Sequence, residues 1–325
     1  MRLTVLGSLN MDVSVTVPAL PGPGATVLGG GAAYAPGGKG ANQAVAAARL
    51  GAAVRMVGCV GDDDFGARLR EALRDEGVAD DGVRAVPEEP TGLAMITVDK
   101  AGENMITVAP GANREAGTAE VAATGAEPAD ALVISAEIPV STIRAALAAH
   151  GDPGDGEPPE GHGRRAGLVV LNLAPAPPEA AELVAAGADW LVVNESEAAA
   201  VLGRYVAGLD DAARAASEIA AMGARGVVVT AGAAGAAYRV GEAGRAGADS
   251  GIVPGFPVRA VDSVGAGDTF AGALAVALAA GVAPPDAVRA ASAAGAAAAT
   301  RPGTQSGMPG PAAVLAATGC PWPVA

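Results

Sequence analysis

The chain has 325 residues, 50% of them hydrophobic, so it can bury one large core with a small appendage, or two cores. Lys and Arg number 21 against 35 Asp and Glu, which gives a formal net charge of −14. This balance argues against a nucleic-acid partner and against an anionic membrane surface, because both need a basic protein face. A small phosphate ligand stays possible, since it needs only a local site.

The few cysteines and histidines predict neither a zinc site nor a disulfide. The two cysteines and two histidines have no zinc-site spacing, and cysteines far apart in a long chain are typical of a reducing compartment. The N-terminus reaches the polar residues Asn10 and Asp12 too early for a signal peptide. The longest apolar tract starts at Phe270 and is broken at Pro284, so it predicts no membrane span. We therefore expect a cytoplasmic protein with no membrane partner.

Short apolar runs alternate with alanine-rich helical segments along most of the chain. The apolar runs begin at Leu3, Val54, Ala131, Leu168, Trp190 and Gly226. The helical segments are Ala41–Leu50, Phe65–Glu76, Ser141–His150, Pro178–Ala186, Glu195–Leu202 and Asp210–Met222. Strands that are apolar on both faces and separated by helices predict an α/β fold with a mostly parallel sheet covered by helices.

Two segments depart from this rhythm. Val13–Val17 alternates polar and apolar residues, and Leu93–Val108 contains two strand-like runs around the turn D-K-A-G-E-N. Alternation predicts a sheet with one face in water. The two segments fit a small lid sheet beside the main sheet, and the second equally fits an ordinary edge hairpin.

The segment from His150 to Gly167 is dense in glycine, proline and charge. It falls between a predicted helix and a predicted strand, so it predicts a long surface loop inside one domain.

The stretch V-D-S-V-G-A-G-D-T-F predicts a helix start with accessible backbone N–H groups. Gly265, Ala266 and Gly267 carry almost no side chain, and the apolar spacing from Phe270 is helical. Backbone N–H groups at a helix start favour an anion. Asp268 is therefore either a cap for the helix or a base aimed at a substrate.

The stretch P-G-G-K-G-A-N-Q-A predicts a second helix start of the same kind. Gly37, Gly38 and Gly40 free the backbone, and Lys39 and Asn42 accompany them. Because Lys39 is followed by glycine and not by Ser or Thr, the motif is not a Walker A loop. Alone, it is equally a glycine-rich turn before a helix.

Four further motifs stand at predicted strand ends or late in the chain. G-S-L-N-M-D carries Asn10 and Asp12 after the first strand, where open α/β sheets bind ligands, although Asx capping explains it equally. N-E-S-E-A starts at Asn194, which could simply cap a helix. V-T-A-G-A-A-G follows another strand, and A-T-R-P-G-T-Q-S-G lies near the C-terminus.

Together and in this order, these motifs resemble the ribokinase family of sugar kinases, the PfkB-type carbohydrate kinases. The resemblance covers nearly the whole chain and includes G-D-D-D-F-G at Gly61, G-E-N-M-I-T-V-A-P-G-A-N at Gly102 and L-N-L-A-P-A-P at Leu171. The charged segment after His150 is the main departure, and the late A-T-R-P-G-T-Q-S-G block matches less closely.

The resemblance implies a role for each motif. Asp268 would be the general base for the sugar's primary hydroxyl, and the backbone of Gly265, Ala266 and Gly267 would form an anion hole for the transferring phosphoryl group. Positioning and charge stabilisation are what phosphoryl transfer requires. The sugar site would be lined by Asn10, Asp12, Gly38, Lys39, Asn42, Glu137 and Asp268.

The resemblance also implies the cofactors and their residues. ATP would be held by Asn194, Thr230, Gly232, Gly235 and Gly267. Mg²⁺ would arrive with ATP, bound through phosphates and water. A monovalent cation, usually K⁺, would lie beside the anion hole at Asp262, Val264, Ala298, Arg301 and Gly303.

The resemblance implies an enzyme that phosphorylates D-ribose with ATP to give D-ribose 5-phosphate. It implies a doubly wound α/β domain formed by residues 1–12, 34–90 and 110–325, with a β-sheet lid formed by residues 13–33 and 91–109. The lid would close over the sugar and exclude water. Two copies would pair through their lids as a homodimer.

Three alternatives differ in testable features. A sister kinase of the family could act on 2-deoxyribose, on another sugar or on a nucleoside, although a nucleoside pocket would need aromatic residues that this chain largely lacks. A non-catalytic sugar-binding regulator would lack the Asp268 base or its glycines, and both are present. A nicotinamide-dependent dehydrogenase would need G-x-G-x-x-G after the first strand, which is absent.

Overall fold

A computed structural model describes residues 1–150, 167–241 and 249–324 of the chain. These residues form a nine-stranded sheet flanked by helices and a separate four-stranded sheet. The Gly/Pro-rich segment predicted to be a surface loop lies outside the described residues, apart from its two end residues His150 and Gly167.

The described residues contain thirteen strands and eleven α-helices. The strands are β1 (Arg2–Leu6), β2 (Asn10–Val17), β3 (Ala33–Gly37), β4 (Ala53–Gly61), β5 (Ala79–Val86), β6 (Gly92–Asp99), β7 (Asn104–Ala109), β8 (Ala131–Ser135), β9 (Val169–Asn172), β10 (Trp190–Asn194), β11 (Gly226–Thr230), β12 (Gly235–Val240) and β13 (Asp249–Pro254). The helices are α1 (Lys39–Arg49), α2 (Asp64–Asp75), α3 (Thr118–Thr124), α4 (Val140–His150), α5 (Ala180–Ala185), α6 (Glu195–Leu202), α7 (Gly208–Ala220), α8 (Ala266–Ala279), α9 (Pro284–Ala298), α10 (Thr304–Gly307) and α11 (Pro311–Thr318).

The main sheet confirms the predicted α/β class. Its strand order is β13-β12-β11-β10-β9-β8-β1-β4-β5, and every pair from β11 to β5 is parallel. Only β12 and β13, at one edge of the described sheet, pair antiparallel. The central strands are buried on both faces because one hydrophobic cluster, with α1, α8 and α9, covers one side and a second, with α4 to α7, covers the other.

The predicted hairpin belongs to the smaller sheet and not to the edge of the main one. This sheet has the order β3-β2-β6-β7, in which β6 and β7 pair antiparallel and β2 pairs parallel with β6. β7 is exposed along its whole length, as expected for a sheet with little covering it.

The carboxyl ends of β1, β8, β9, β10 and β11 form one continuous edge, since these strands are neighbours and parallel. Ligands of open α/β sheets bind at this edge. α1 and α8 pack against each other, and both begin at this edge.

The helices of the described residues include none that combines the length and the apolar character needed to cross a bilayer.

Candidate active site

The fold brings the predicted sugar-site residues to the edge where the parallel strands end. Asn10 and Asp12 lie at the start of β2, just after β1, and Glu137 lies two residues after β8. Lys39 and Asn42 come from the first turn of α1. The backbone of Gly38, the N-cap of α1, lies directly against Leu9 and Asn10. These residues come from three separate segments and meet in one place.

Asp268 is the centre of a buried hydrogen-bond network. It lies in the first turn of α8 and is 7% exposed. Asn42 Nδ2 donates to its Oδ2 at 2.9 Å, and Gln43 Nε2 donates to its Oδ1 at 3.3 Å. The contact joins residues 226 positions apart, so α1 and α8 together fix this carboxylate.

Glu137 is held through only one of its two carboxylate oxygens. Its Oε2 accepts from Ser8 Oγ at 2.6 Å, from Asn10 Nδ2 at 3.4 Å and from Lys39 N at 3.3 Å. Its Oε1 accepts no hydrogen bond from another described residue. Because a carboxylate oxygen offers two acceptor positions, Oε1 is available for a hydroxyl group.

The site places several carboxylates close to one another and to a single lysine, Lys39. Burial, then Glu137, then Asp268 raise the pKa of Asp12 to about 7. The negative charge of Asp268 raises the pKa of Lys39 above its usual range, against the opposing effect of burial. Asp268, Glu137 and Glu197 all act on the single ammonium group of Lys39, which leaves a surplus of negative charge that suits an uncharged ligand with many hydroxyl donors.

The start of α8 presents unpaired backbone N–H groups, with one exception. Gly265 is the N-cap residue with a φ of 78°, and neither its N–H nor that of Gly267 makes a hydrogen bond with another described residue. The N–H of Ala266 donates to Ser263 O at 3.2 Å. Two of the three groups predicted to form an anion hole are therefore unpaired, and the third is held by a long bond.

A cavity of about 120 Å³ connects the sugar-site residues with those predicted to hold a nucleotide. Its predicted lining residues are Lys39, Asn194, Thr230, Gly265, Gly267 and Asp268. This volume is below the roughly 300 Å³ of a pocket for a drug-sized ligand, so it represents the junction between two ligands and not a whole nucleotide site.

Asn194 is the N-cap of α6, which is one of the two roles that its motif predicts. Its Oδ1 accepts from Glu197 N at 2.9 Å, and Glu197 Oε2 accepts from Asn194 N at 2.8 Å. Burial raises the pKa of Glu197, which also lines the cavity. Capping and ligand binding are compatible here, because Asn194 is exposed and its Nδ2 group has no partner among the described residues.

Gly232 lies in the loop between β11 and β12, Gly235 is the first residue of β12, and neither lines the cavity. Gly235 has a φ of 123°, and its Cα packs against the backbone of Val253 and Gly255. It therefore shapes the end of the loop that follows Thr230.

Asp262 joins the two loops predicted to hold a monovalent cation. Its Oδ1 accepts from Val264 N at 3.0 Å, and its Oδ2 accepts from Gly303 N at 2.9 Å. Ala298 O accepts from Arg301 N at 3.2 Å. In the described ranges, no group of three His, Cys, Asp or Glu residues could hold a metal ion, so a cation here would depend on backbone carbonyls.

A larger cavity of about 500 Å³ lies elsewhere and contains none of the predicted site residues. It opens beside Arg2, Asp130 and Leu168, at the amino ends of the strands. The predicted site residues lie at the other end of the sheet, so size alone would select a different cavity.

Sequence reasoning missed four buried polar residues of the site. They are Ser8, Gln43, Asn172 and Gln305. Gln43 and Asn172 stand inside the motifs G-A-N-Q-A and L-N-L-A-P-A-P, so a signal was present. Their roles depend on which segments meet in space, which the motifs do not specify.

Comparison with known proteins gives one consistent answer. The sequence profile of the pfkB family carbohydrate kinases matches residues 1–311. The ribokinase of Haemophilus influenzae is 39% identical over 309 residues, which cover 94% of this chain and 95% of that protein. A deoxyribokinase of Salmonella typhi is 32% identical, with 85% of each protein covered.

The solved structures agree with the sequence relatives. The ribokinase of Thermotoga maritima has a TM-score of 0.79 at 32% identity and covers 97% of this chain and 98% of that one. The ribokinase of Arabidopsis thaliana, solved with ribose and ATP, has a TM-score of 0.77 at 30% identity, with 97% of each chain covered. These comparisons confirm the resemblance inferred from the motifs. The chain belongs to the PfkB family and is a ribokinase-like carbohydrate kinase.

Proposed function

We propose that this protein phosphorylates D-ribose with ATP to give D-ribose 5-phosphate. One observation carries the proposal: Asp268 is bonded to Asn42 of the sugar site and also borders the cavity that contains Asn194 and Thr230. A base that takes a hydroxyl proton while the hydroxyl attacks a phosphate must lie between its two substrates.

The chemistry assigns one step to each part of the site. Asp268 takes the proton of the primary hydroxyl as the hydroxyl oxygen bonds to the γ-phosphorus and ADP departs. The unpaired N–H groups of Gly265 and Gly267, with that of Ala266, stabilise the negative charge on the transferring group without reorganising. Lys39 adds a positive charge beside the same carboxylate.

The sugar hydroxyls would be held by groups whose hydrogen-bond roles are complementary. Asp12 and the unpaired Oε1 of Glu137 accept hydrogen bonds, while the amides of Asn10 and Asn42 donate them. Such a site rejects sugars that lack a hydroxyl, because its own buried polar groups are then left unpaired.

The residues fit the proposed cofactors through their donor chemistry. ATP would lie along Asn194, Thr230, Gly232, Gly235 and Gly267, with its phosphates toward the start of α8. Mg²⁺ bound to those phosphates would neutralise charge on them. A monovalent cation would be held by Asp262 and by carbonyls of Val264, Ala298, Arg301 and Gly303, and would add positive charge beside the anion hole.

The smaller sheet is proposed as a lid and as a dimer surface. We propose a lid of residues 13–33 and 91–109 and an α/β domain of residues 1–12, 34–90 and 110–325. The smaller sheet continues beyond these lid boundaries, because β2 begins at Asn10 and β3 ends at Gly37. Large apolar side chains of this sheet are about half exposed: Tyr34, Met95, Met105 and Ile106. Burying them between two copies would be favourable. Sedimentation should give twice the chain mass of 31.1 kDa, and a monomer at working concentrations would contradict the dimer.

Sugar-dependent release of ADP tests the proposed substrate. With Mg·ATP and K⁺, we expect the highest kcat/KM on D-ribose, with 2-deoxyribose, fructose and adenosine lower. A missing hydroxyl should cost roughly tenfold or more, because it leaves a buried partner unpaired. Turnover on none of these acceptors, with sugar still bound, would favour a binding protein.

The relationship to a deoxyribokinase supports a second candidate substrate, 2-deoxyribose. The same assay separates the two, because a deoxyribose kinase would have the higher kcat/KM on the sugar without the 2-hydroxyl. That result would preserve the roles of Asp268 and the α8 start and change only the substrate.

A further inference from the structure

Gln43 is a fully buried polar residue with no role in the mechanism so far. It is 0% exposed, and its Nε2 donates both to Asp268 Oδ1 at 3.3 Å and to Asn172 Oδ1 at 2.9 Å. Because no solvent reaches Gln43, a substrate cannot contact it directly, and its hydrogen bond to Asp268 connects it to the proposed reaction.

The orientation of the Gln43 amide is set by a backbone carbonyl. Val192 O can only accept, so it requires Asn172 to turn its Nδ2 toward it, at 3.3 Å. Asn172 Oδ1 then faces Gln43 and requires a donor there. If the Gln43 amide were flipped, its Oε1 would face two acceptor oxygens, so the hydrogen-bond network itself assigns the amide.

A parallel chain of bonds fixes the other oxygen of the same carboxylate. Gln305 Nε2 donates to Asn42 Oδ1 at 3.1 Å, which turns Asn42 Nδ2 toward Asp268 Oδ2. Both oxygens of Asp268 therefore face donors whose orientation is set by further buried side chains, Asn172 for one and Gln305 for the other.

This arrangement leaves one buried acceptor unsatisfied. Gln43 Oε1 has no hydrogen-bond partner in the described structure. An unpaired buried oxygen is destabilising, and a methionine of similar size would avoid it. A buried glutamine whose Oε1 has no partner is expected where its Nε2 group has a function.

Close packing of two helices makes the Gln43–Asp268 contact rigid. A Cβ atom on Gly272 of α8 would lie 2.7 Å from Gln43 O, so the backbones of α1 and α8 touch at this point. The contact therefore depends on two packed helices and not on a loop.

We propose that Gln43 and Asn172 are positioning residues that hold the Asp268 carboxylate in a single orientation, ready for the hydroxyl proton. This inference rests on the proposed function, in which Asp268 is the base. Donors to both oxygens fix the carboxylate plane. Transfer then moves the proton from the sugar oxygen to Asp268, as that oxygen bonds to phosphorus and the bond to ADP breaks.

Other charged groups also face Asp268 and must be held constant in any test. Lys39 approaches from α1, Asp12 from β2 and Glu197 from α6. Variants of Gln43 leave all three in place, so a difference between the pH profiles of Gln43→Met and the wild type reports the loss of the amide donor.

The test compares Gln43→Met, Gln43→Glu and the wild type by their pH profiles of kcat with ribose and Mg·ATP. For Gln43→Met we expect the acid limb to move up by about one pH unit, with the plateau kcat lowered roughly tenfold and the sugar KM unchanged. Gln43→Glu should move the limb further, because it adds a like charge. Adding Asn172→Leu to Gln43→Met should have little further effect, since both act through one chain of bonds.

Two controls make the outcomes distinct. Thr142→Val removes a buried polar group that bonds only to Ala116 O, and it should leave the acid limb unchanged. If Gln43→Met and Gln43→Glu lower the melting temperature but leave the acid limb where it is, Gln43 is only structural and the inference fails. If Asp268→Asn itself retains turnover, the base assignment fails first, and the proposed mechanism is overturned with it.

Discussion

Replacing Asp268 with Asn is expected to lower kcat by roughly 10²- to 10⁴-fold, the usual contribution of a general base. Sugar KM should change little, because Asp12, Glu137 and Asn10 remain. The variant amide meets the donors of Asn42 and Gln43 with one acceptor in place of two, so we also expect a loss of about 1–3 kcal/mol in the free energy of unfolding. Single-turnover rates with circular dichroism separate the two effects.

Asp286→Asn is the matched control for this experiment. Asp286 is also an aspartate in the first turn of a helix, at the start of α9, but it is exposed. If Asp268 were only a helix-start charge, both variants would lose about 0.3–1 kcal/mol and keep their kcat. A thousandfold difference in kcat between the two variants would separate a base from a helix cap, and equal kcat values would contradict the mechanism.

Replacing Asp12 with Asn is expected to weaken sugar binding and to stabilise the unliganded protein at alkaline pH. Asp12 has a pKa of about 7 in the folded protein against 3.8 in the reference state, because burial and neighbouring carboxylates disfavour its charge. Between these two pKa values the folded state therefore binds more protons than the unfolded state. The contribution of Asp12 to the free energy of unfolding is complete below pH 3.8 and is lost as the pH rises through about 7.

The Asp12→Asn variant lacks this titration, so its melting temperature should exceed that of the wild type above neutral pH, with the difference shrinking toward acid pH. Its sugar KM should rise roughly 10- to 100-fold, the cost of losing a charged acceptor. In the wild type, sugar KM should rise as pH falls below about 7, as Asp12 takes up a proton. A variant that is less stable at every pH would show that the carboxylate is not electrostatically strained.

The sequence allowed prediction of the parts of the fold that depend on local pattern. Apolar runs such as those of β8 and β9 are buried on both faces because they are central parallel strands. The edge strands β12 and β13 were not predicted, since an antiparallel edge has no distinct periodicity in this sequence. β5 also escaped prediction, because it is partly exposed and its charged residues hide the strand pattern.

The candidate site was predictable as a set of residues but not as a network. Motif resemblance predicted Asp268, Asn42 and Glu137, and the strand order explains why they meet. It did not predict that Gln43 donates to both Asp268 and Asn172, because that depends on how closely α1 and α8 pack. Nor did it predict that the Ala266 N–H donates to Ser263 O, a detail of one turn.

The most direct test of the account is ³¹P and ¹H NMR of the product formed from D-ribose and Mg·ATP, run beside the Asp268→Asn variant. We expect one new sugar phosphate whose phosphorus couples to the two protons on C5, formed in step with ADP by the wild type and nearly absent with the variant. Release of ADP with inorganic phosphate in place of a C5 phosphate ester, or equal ester formation by the variant, would contradict direct transfer to a hydroxyl activated by Asp268.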